Sequence, residues 1–358
     1  MNSIGWNAFF EAHFAPYKEK GYEVARVAVE HKHKYTLYAA CGEITSEVSG
    51  KLRFEAKSRE DFPATGDFVV IDPRPGEERA IIHAVLPRKT KFSRKSPGEL
   101  EKSMEEKIVA TNMDFIFIMS SLNNELSLRR IERYLVLAYE SGAKPVIVLT
   151  KSDLAENPAA TKEDIERIAL GVDVCVTSAV TGEGVEDLKK YFAEGVTIAF
   201  LGSSGVGKSS IINILAGCDL QKVSEISEYD DRGKHTTTRR ELIILPSRAL
   251  VMDTPGMREL QMWEAGSGFS ETFADIEELA KKCKFGDCAH NEEPGCAVLK
   301  ALDEGTLDAG HLKNYRKLNR EIAHFNSRND ALARSAEQKK WKQIAKLGRE
   351  ISKNKLRG

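Results

Sequence analysis

The sequence predicts three domains: a small OB-like β-barrel, a parallel α/β domain, and a mainly helical domain organised around a metal. Between about Tyr35 and Leu86, short alternating or β-branched runs are separated by Gly, Pro and Asp turns. From Asp114 onward, apolar runs alternate with helical segments, the pattern of a doubly wound parallel sheet. Beyond about Gly268 the pattern is mainly helical, interrupted by Cys283, Cys288, His290 and Cys296 within fourteen residues. At 358 residues the chain is long enough for two or three such cores.

In chain order, residues 1–35 form an N-terminal extension with one amphipathic stretch, WNAFFEAHFAPY, read as a short helix. The barrel and its connector, residues 36–98, use KYTLYAA, EITSEVSG, KLRF, DFVVID and AIIHAVL as strands, and an SH3-like barrel fits the same pattern. RKTKFSRKSPG, residues 88 to 98, reads as a basic linker able to touch phosphate. The α/β domain, residues 99–266, runs DFIFIMS, LRRIERYLVLAYESG, KPVIVLT, TKEDIERIALG, VDVCVTS, VEDLKKYFAEG and TIAFLG, alternating strand and helix. A glycine loop, the helix KSSIINILAG, a polar loop and the strands RRELIILP and ALVMDTPG complete it. Residues 267–358 supply the helical domain and a basic tail.

A net charge of -1 conceals an asymmetry, because from His311 onward fourteen Lys and Arg stand against four acids. Such a tail suits a polyanionic partner. No apolar stretch reaches membrane-spanning length, and the first twenty residues lack the basic-then-apolar order of a secretory signal. A cytoplasmic protein with no membrane partner is expected. Cys41, Cys175 and Cys218 stand alone and are expected to be small buried hydrophobes.

GSSGVGKS, residues 202 to 209, lies between a strand and a helix and has the G-x-x-x-x-G-K-S spacing of a phosphate cradle. Gly202, Gly205 and Gly207 let successive backbone N–H groups surround phosphate oxygens, Lys208 reaches the terminal phosphates, and Ser209 offers a hydroxyl to Mg²⁺. Nucleotide contacts are assigned to Gly202, Ser203, Ser204, Gly205, Val206, Gly207, Lys208, Ser209 and Ser210, with Lys208 also serving catalysis. A phosphate cradle does not choose the base, but Thr150, Lys151, Ser152 and Asp153 at a strand end do. The Asp153 carboxylate accepts both donors of a guanine edge, the Lys151 stem lies along the base, and an adenine would leave the carboxylate unpaired. Around Ser178 and Ala179 a backbone N–H is expected to meet the guanine oxygen. DTPG places Asp253 as a water-mediated Mg²⁺ ligand and Gly256 as a γ-phosphate sensor. In GKHTTT, one of Thr236, Thr237 or Thr238 completes the metal shell, with Thr237 assigned to catalysis. Met257 occupies the place where many GTPases carry a water-orienting glutamine, so slow intrinsic turnover is expected and His235 becomes the candidate for positioning water.

These motifs stand in an unusual order, because the guanine motif precedes the phosphate loop and DTPG. A circular permutation preserves the site, since each motif still sits at the carboxyl end of its own strand. The arrangement resembles the ribosome small subunit-dependent GTPase A (RsgA) family of circularly permuted GTPases, over nearly the whole chain after the first 35 residues. Thr150 stands where many GTPases have Asn, and Lys234 where the family usually has Arg. The resemblance implies a GTPase, acting on GTP to give GDP and phosphate, that grips the rRNA of the small ribosomal subunit during late maturation and is stimulated by it. A nucleotide-gated rRNA-binding module with negligible turnover is the alternative, and a P-loop phosphotransferase a second one.

Cys283, Cys288, His290 and Cys296 have the spacing C-x4-C-x-H-x5-C. Three thiolates and an imidazole suit one structural, tetrahedral Zn²⁺ with no open position. The family resemblance implies the same four ligands. Mg²⁺ accompanies GTP through Ser209 and Asp253, and a monomer is expected.

Overall fold

The structure is a computed structural model that describes residues 2–32, 34–73, 79–97, 104–123, 126–217, 241–253, 266–324 and 326–327. The N-terminal part comprises α1 (Ala8–Lys18), β1 (Glu23–Glu30), β2 (Tyr35–Ala39), β3 (Gly42–Val48), α2 (Gly50–Glu55), β4 (Phe68–Pro73) and β5 (Arg79–Val85). The strands pair in the order β1-β2-β3-β5-β4, with β4 returning to β1 and the β3–β5 pair parallel. This closed five-stranded barrel has OB connectivity, so an SH3-like arrangement is excluded. Ala25, Val27, Leu37, Val69, Ile71 and Ile82 fill it from alternate positions.

The first barrel strand, residues 23–30, lies inside the stretch expected to be an N-terminal extension. Its EVARVAVE run was obscured because residues 25–28 are all buried, so the two-residue alternation of a half-exposed strand is missing. α1 begins at Asn7, whose side chain accepts from the Phe9 N–H at 3.0 Å, and buries Phe10 and Phe14 one turn apart. Phe10 packs on Phe68 of β4 at a ring separation of 4.3 Å. KLRF, expected as a strand, belongs to α2. Ser49 caps it by accepting from the Leu52 N–H at 3.1 Å, and Leu52 packs against the barrel core while Phe54 is exposed. Cys41, expected buried, is exposed in the tight β2–β3 turn, and Cys175 is partly buried.

RKTKFSRKSPG is not a free linker. It contains β6 (Lys91–Pro97), which pairs antiparallel with β7 (Met104–Thr111) across the boundary expected at residue 98. Phe92 is buried beside Ala110, which gives this ribbon an apolar root.

The α/β part follows as β8 (Phe115–Ser121), α3 (Leu128–Glu140), β9 (Lys144–Thr150), α4 (Pro158–Ile168), β10 (Asp173–Val176), α5 (Val185–Leu188), β11 (Thr197–Leu201), α6 (Lys208–Ala216), β12 (Glu241–Ile244) and β13 (Leu250–Asp253). The strand order is β10-β9-β8-β11-β13-β12, parallel except for β12, and β12 continues the sheet into barrel strand β1. VEDLKKYFAEG forms only the single turn of α5 and a 3₁₀ turn.

Arg26 in β1 clamps the barrel to this sheet. It is 1% exposed and donates to the carbonyls of Ile4 (2.7 Å), Gly66 (3.1 Å) and Asn112 (2.9 Å) and to the Thr197 hydroxyl (2.9 Å) at the start of β11. Burial lowers its pKa to about 10 against the opposing pull of Asp114 and Asp67, so it remains a cation. A buried charge is tolerated only when hydrogen-bonded throughout, and this one is bonded to four separate chain segments.

The C-terminal part comprises α7 (Ser267–Thr272), α8 (Ala274–Ala280), α9 (Ala297–Asp303) and α10, a helix over 309–324. It docks on α3 through Phe269, Phe273 and Tyr315 and through a buried polar cluster. His311 sits between Glu132 (2.7 Å) and Asp275 (3.2 Å), while Asn314 and Arg129 also bond Glu132, and Arg129 reaches Asp308 at 2.7 Å. Burial disfavours the charged imidazole, but its bonds to Asp275 and Glu132 outweigh this and raise its pKa to about 9. A raised histidine stabilises fully below its unfolded pKa of about 6.5 and loses that contribution as pH climbs through the folded value. Docking of α10 on α3 is therefore expected to weaken by of the order of 2–3 kcal/mol between about pH 6.5 and 9.5. Amide exchange at α10 measured across that range checks it, with His311→Gln expected to flatten the profile.

Among the described residues, no helix is long and apolar enough to cross a membrane.

Candidate functional site

Four strand ends lie along one edge of the sheet because β9, β10, β11 and β13 are parallel and each ends there. β11 is buried throughout, and the chain turns through residues 202–207 into α6. Gly207 precedes the helix at φ +97, a left-handed value that a side chain would strain. Val206 is buried and anchors the loop, while Ser204 and Gly205 are exposed and Ser203, Ser209 and Ser210 partly so. The Lys208 ammonium donates to the carbonyls of Gly202 (2.9 Å) and Ser203 (2.6 Å), which draws it across the loop. A glycine loop leading into a helix N-terminus is an anion site.

β9 carries the TKSD motif to the same edge. Thr150 is 2% exposed and its hydroxyl donates to the Val206 carbonyl at 2.6 Å, bolting the base-recognition motif to the phosphate loop. Lys151 adopts φ +58, a strained value for a non-glycine residue and one that clusters at binding sites. Asp153 lies in the 3₁₀ turn Ser152–Leu154 and accepts from the Ser178 hydroxyl. That hydroxyl oxygen in turn accepts from the N–H groups of Val180 and Thr181, each at 3.2 Å. The Ser178 N–H donates to the Glu183 carbonyl at 3.0 Å, and the Ser152 hydroxyl to the Glu183 carboxylate at 3.3 Å. The TKSD turn and the VTSAVTGEG loop are thus laced into one rigid unit. Asp253 ends β13, its backbone paired with Glu241. Cys218, His235, Thr236, Thr237, Thr238, Gly256 and Met257 lie outside the described residues.

The second site is the cysteine loop. The ligand atoms of Cys283, Cys288, His290 and Cys296 all lie within 4.8 Å of one another, so the cluster can hold a metal ion. Cys283 Sγ is 3.8 Å from Cys296 Sγ, and His290 Nδ1 is 3.6 and 3.5 Å from these two sulfurs. The edges of a tetrahedron built with zinc bond lengths are about 3.8 Å for S–S and about 3.5 Å for S–N. The donor set and its spacing therefore fit zinc. Cys296 caps α9, its sulfur accepting from the Leu299 N–H at 3.4 Å.

Two supports of this loop have no motif of their own. Glu293 accepts from the N–H groups of Ala289 (2.9 Å), Asn291 (2.8 Å) and Glu292 (3.1 Å), and backbone bonding of this kind pulls its pKa down to about 2. Arg316 of α10 donates to the carbonyl of His290, whose backbone is left-handed at φ +57. Glu183 likewise escapes a sequence search, although its position in TGEG beside the guanine loop was a usable signal.

A phosphate loop on the fourth strand of a parallel sheet, with the base motif ahead of it, defines a circularly permuted P-loop GTPase, here carrying a barrel in front and, behind, a helical domain with a Cys3His cluster able to hold a metal. The family model described as RsgA GTPase matches residues 85–263, and the model described as 50S ribosome-binding GTPase matches residues 197–330. Over 353 residues the chain is 44% identical to the small ribosomal subunit biogenesis GTPase RsgA of Opitutus terrae, covering 96% of this chain and 95% of that one. The chain belongs to the RsgA GTPase family and hydrolyses GTP. Two solved structures share its fold. YjeQ from Thermotoga maritima has a TM-score of 0.62 at 28% identity, over 84% of this chain and 99% of that one. YloQ, described as a circularly permuted GTPase, has a TM-score of 0.61 at 26% identity, over 85% of this chain and 96% of that one.

Proposed function

We propose that this GTPase binds the small ribosomal subunit, assists its late maturation, and hydrolyses GTP to GDP and phosphate faster when docked there. The convergence of the phosphate loop, the TKSD turn and the end of β13 on one sheet edge carries the nucleotide part of this reading. The subunit is carried by the name of the Opitutus terrae relative. An OB-like barrel, a Cys3His loop and the basic residues Lys313, Lys317 and Arg320, exposed on α10, suit ribosomal RNA as the surface gripped. Action as a monomer in the cytoplasm is expected.

Within the site, residues 202–210 cradle the phosphates, with Lys208 neutralising charge as it builds on the transferred group. Lys151 lies along the guanine and Asp153 accepts its two edge donors. Because the Ser178 N–H is engaged by Glu183, the donor to the guanine oxygen is assigned to Ala179. Ser209, Asp253 and one of Thr236, Thr237 or Thr238 would hold magnesium, which when bound offsets phosphate charge, and Thr237 is assigned to catalysis. Gly256 senses the γ-phosphate. His235 accepts a hydrogen bond from the attacking water, the office that Met257 has no polar head to perform. Cys283, Cys288, His290 and Cys296 hold one structural zinc.

Phosphate release measured with and without purified small subunits tests the whole reading. Subunits should raise turnover by roughly 10²-fold or more, and His235→Ala should lose most of that gain while keeping GTP affinity. Retained stimulation in the variant would remove His235 from the mechanism. Bound GTP without release, even on subunits, would instead identify a nucleotide-gated RNA-binding module.

A further inference from the structure

Two of the described contacts between the barrel and the nucleotide-binding sheet have different consequences. Arg26 meets β11 at Thr197, the end of that strand remote from the phosphate loop, about 15 Å away along five residues. That contact holds the two domains together without reaching a motif. The other contact is on the strand pair that ends at Asp253. β1 meets β12 at Val29 opposite Glu241, and the hydroxyl of Tyr38 in β2 donates to the Leu242 carbonyl at 3.0 Å. β12 hands this position directly to β13, where Glu241 stands opposite Asp253 and Leu242 opposite Met252. Met252 is also met from the barrel side at the Gly66 turn, where an added Cβ would lie 2.8 Å from the Met252 methyl and 2.3 Å from the Thr111 carbonyl oxygen. From the Tyr38 hydroxyl to the last two residues of β13 there is one hydrogen bond and one rung of the ladder.

We infer that Tyr38 is a positioning residue for hydrolysis, its hydroxyl joining the barrel to the β12–β13 pair so that subunit docking on the barrel is felt at Asp253. This rests on the subunit-stimulated reading above. A paired strand is stiff along its length, so displacement of β12 cannot be absorbed before β13, whereas a surface loop would dissipate it. Tyr38 is suited to the role because it is a donor with no competing charge state. Burial, with Glu43 and Glu241 nearby, pushes its pKa up to about 12, and the phenol keeps its proton at any working pH. The same strand continues in sequence from the threonine run, since Glu241 follows Thr238 by three residues. Stimulation is a coupling free energy between docking and the site, and it requires a contact whose strength differs between the two states. On this inference the Tyr38–Leu242 bond, made by a single oxygen, is that contact.

Tyr38→Phe removes that oxygen and keeps the ring, so folding is preserved. Subunit-stimulated kcat is expected to fall about five-fold, the effect of one net hydrogen bond. Turnover without subunits, GTP affinity and the subunit concentration giving half-maximal stimulation should stay as in the parent. A variant stimulated to the parent's kcat would overturn the inference and leave the proposed function standing. A loss confined to half-saturating subunit concentration would make Tyr38 a docking residue and also overturn it. A parent that subunits do not stimulate would overturn the proposed function, and the inference with it.

Discussion

Asp153→Asn is expected to weaken GTP binding by roughly 10²–10⁴-fold, because one charge-assisted hydrogen bond is replaced by a donor–donor clash and the other loses its charge, at about 1.5–3 kcal/mol each. The substitution turns one accepting oxygen into a donor, which faces the guanine amino group as donor against donor. Xanthine carries a carbonyl where guanine has that amino group, so the variant should prefer xanthosine triphosphate. The turn itself should survive, because an Asn side-chain oxygen still accepts from the Ser178 hydroxyl and the Thr150 bolt to Val206 is untouched. Titration of both nucleotides against parent and variant reads the result. Equal losses for the two would remove Asp153 from base recognition.

Cys288→Ala is expected to reduce zinc content from about one equivalent to near zero, since structural zinc contributes on the order of 10–16 kcal/mol through four ligands. The loop 283–296 has little apolar burial beyond Cys296, so its amides should exchange freely once the metal leaves. α7 and α10 should remain on α3, held by Phe269, Phe273 and the Glu132–His311 cluster. GTP affinity should change by less than about two-fold, because the nucleotide edge and the loop share no residues. Metal analysis, exchange at 283–296 and a GTP titration together check this. Full zinc retention, or a GTP affinity that collapses with the metal, would refute it.

The two sites were legible in the sequence to different depths. The four residues of the cysteine cluster were all legible as one group, because a metal-holding site drawn from one short loop must show its spacing in the chain. The nucleotide motifs were legible for a related reason, each being a strand end with its loop. Thr150 was less transparent. In the sequence it is a departure from the usual Asn, whereas in the fold its hydroxyl supplies the tie to the phosphate loop across 56 positions of chain. KLRF and the first barrel strand were misread because burial on both faces, or a capping serine, overrode the local pattern of apolar residues.

By itself the sequence determined the reaction class, the permuted motif order and the metal donor set, since each rests on residue types at short fixed spacings that chemistry demands. Tertiary structure alone decided how these parts bear on one another. Arg26 meets Thr197 across 171 positions, His311 meets Glu132 across 179, and Tyr38 meets Leu242 across 204. Contacts of that span leave no periodicity or spacing in the chain, because what selects each partner is the pairing of strands and the docking of helices around it, and these exist only once the whole sheet has formed.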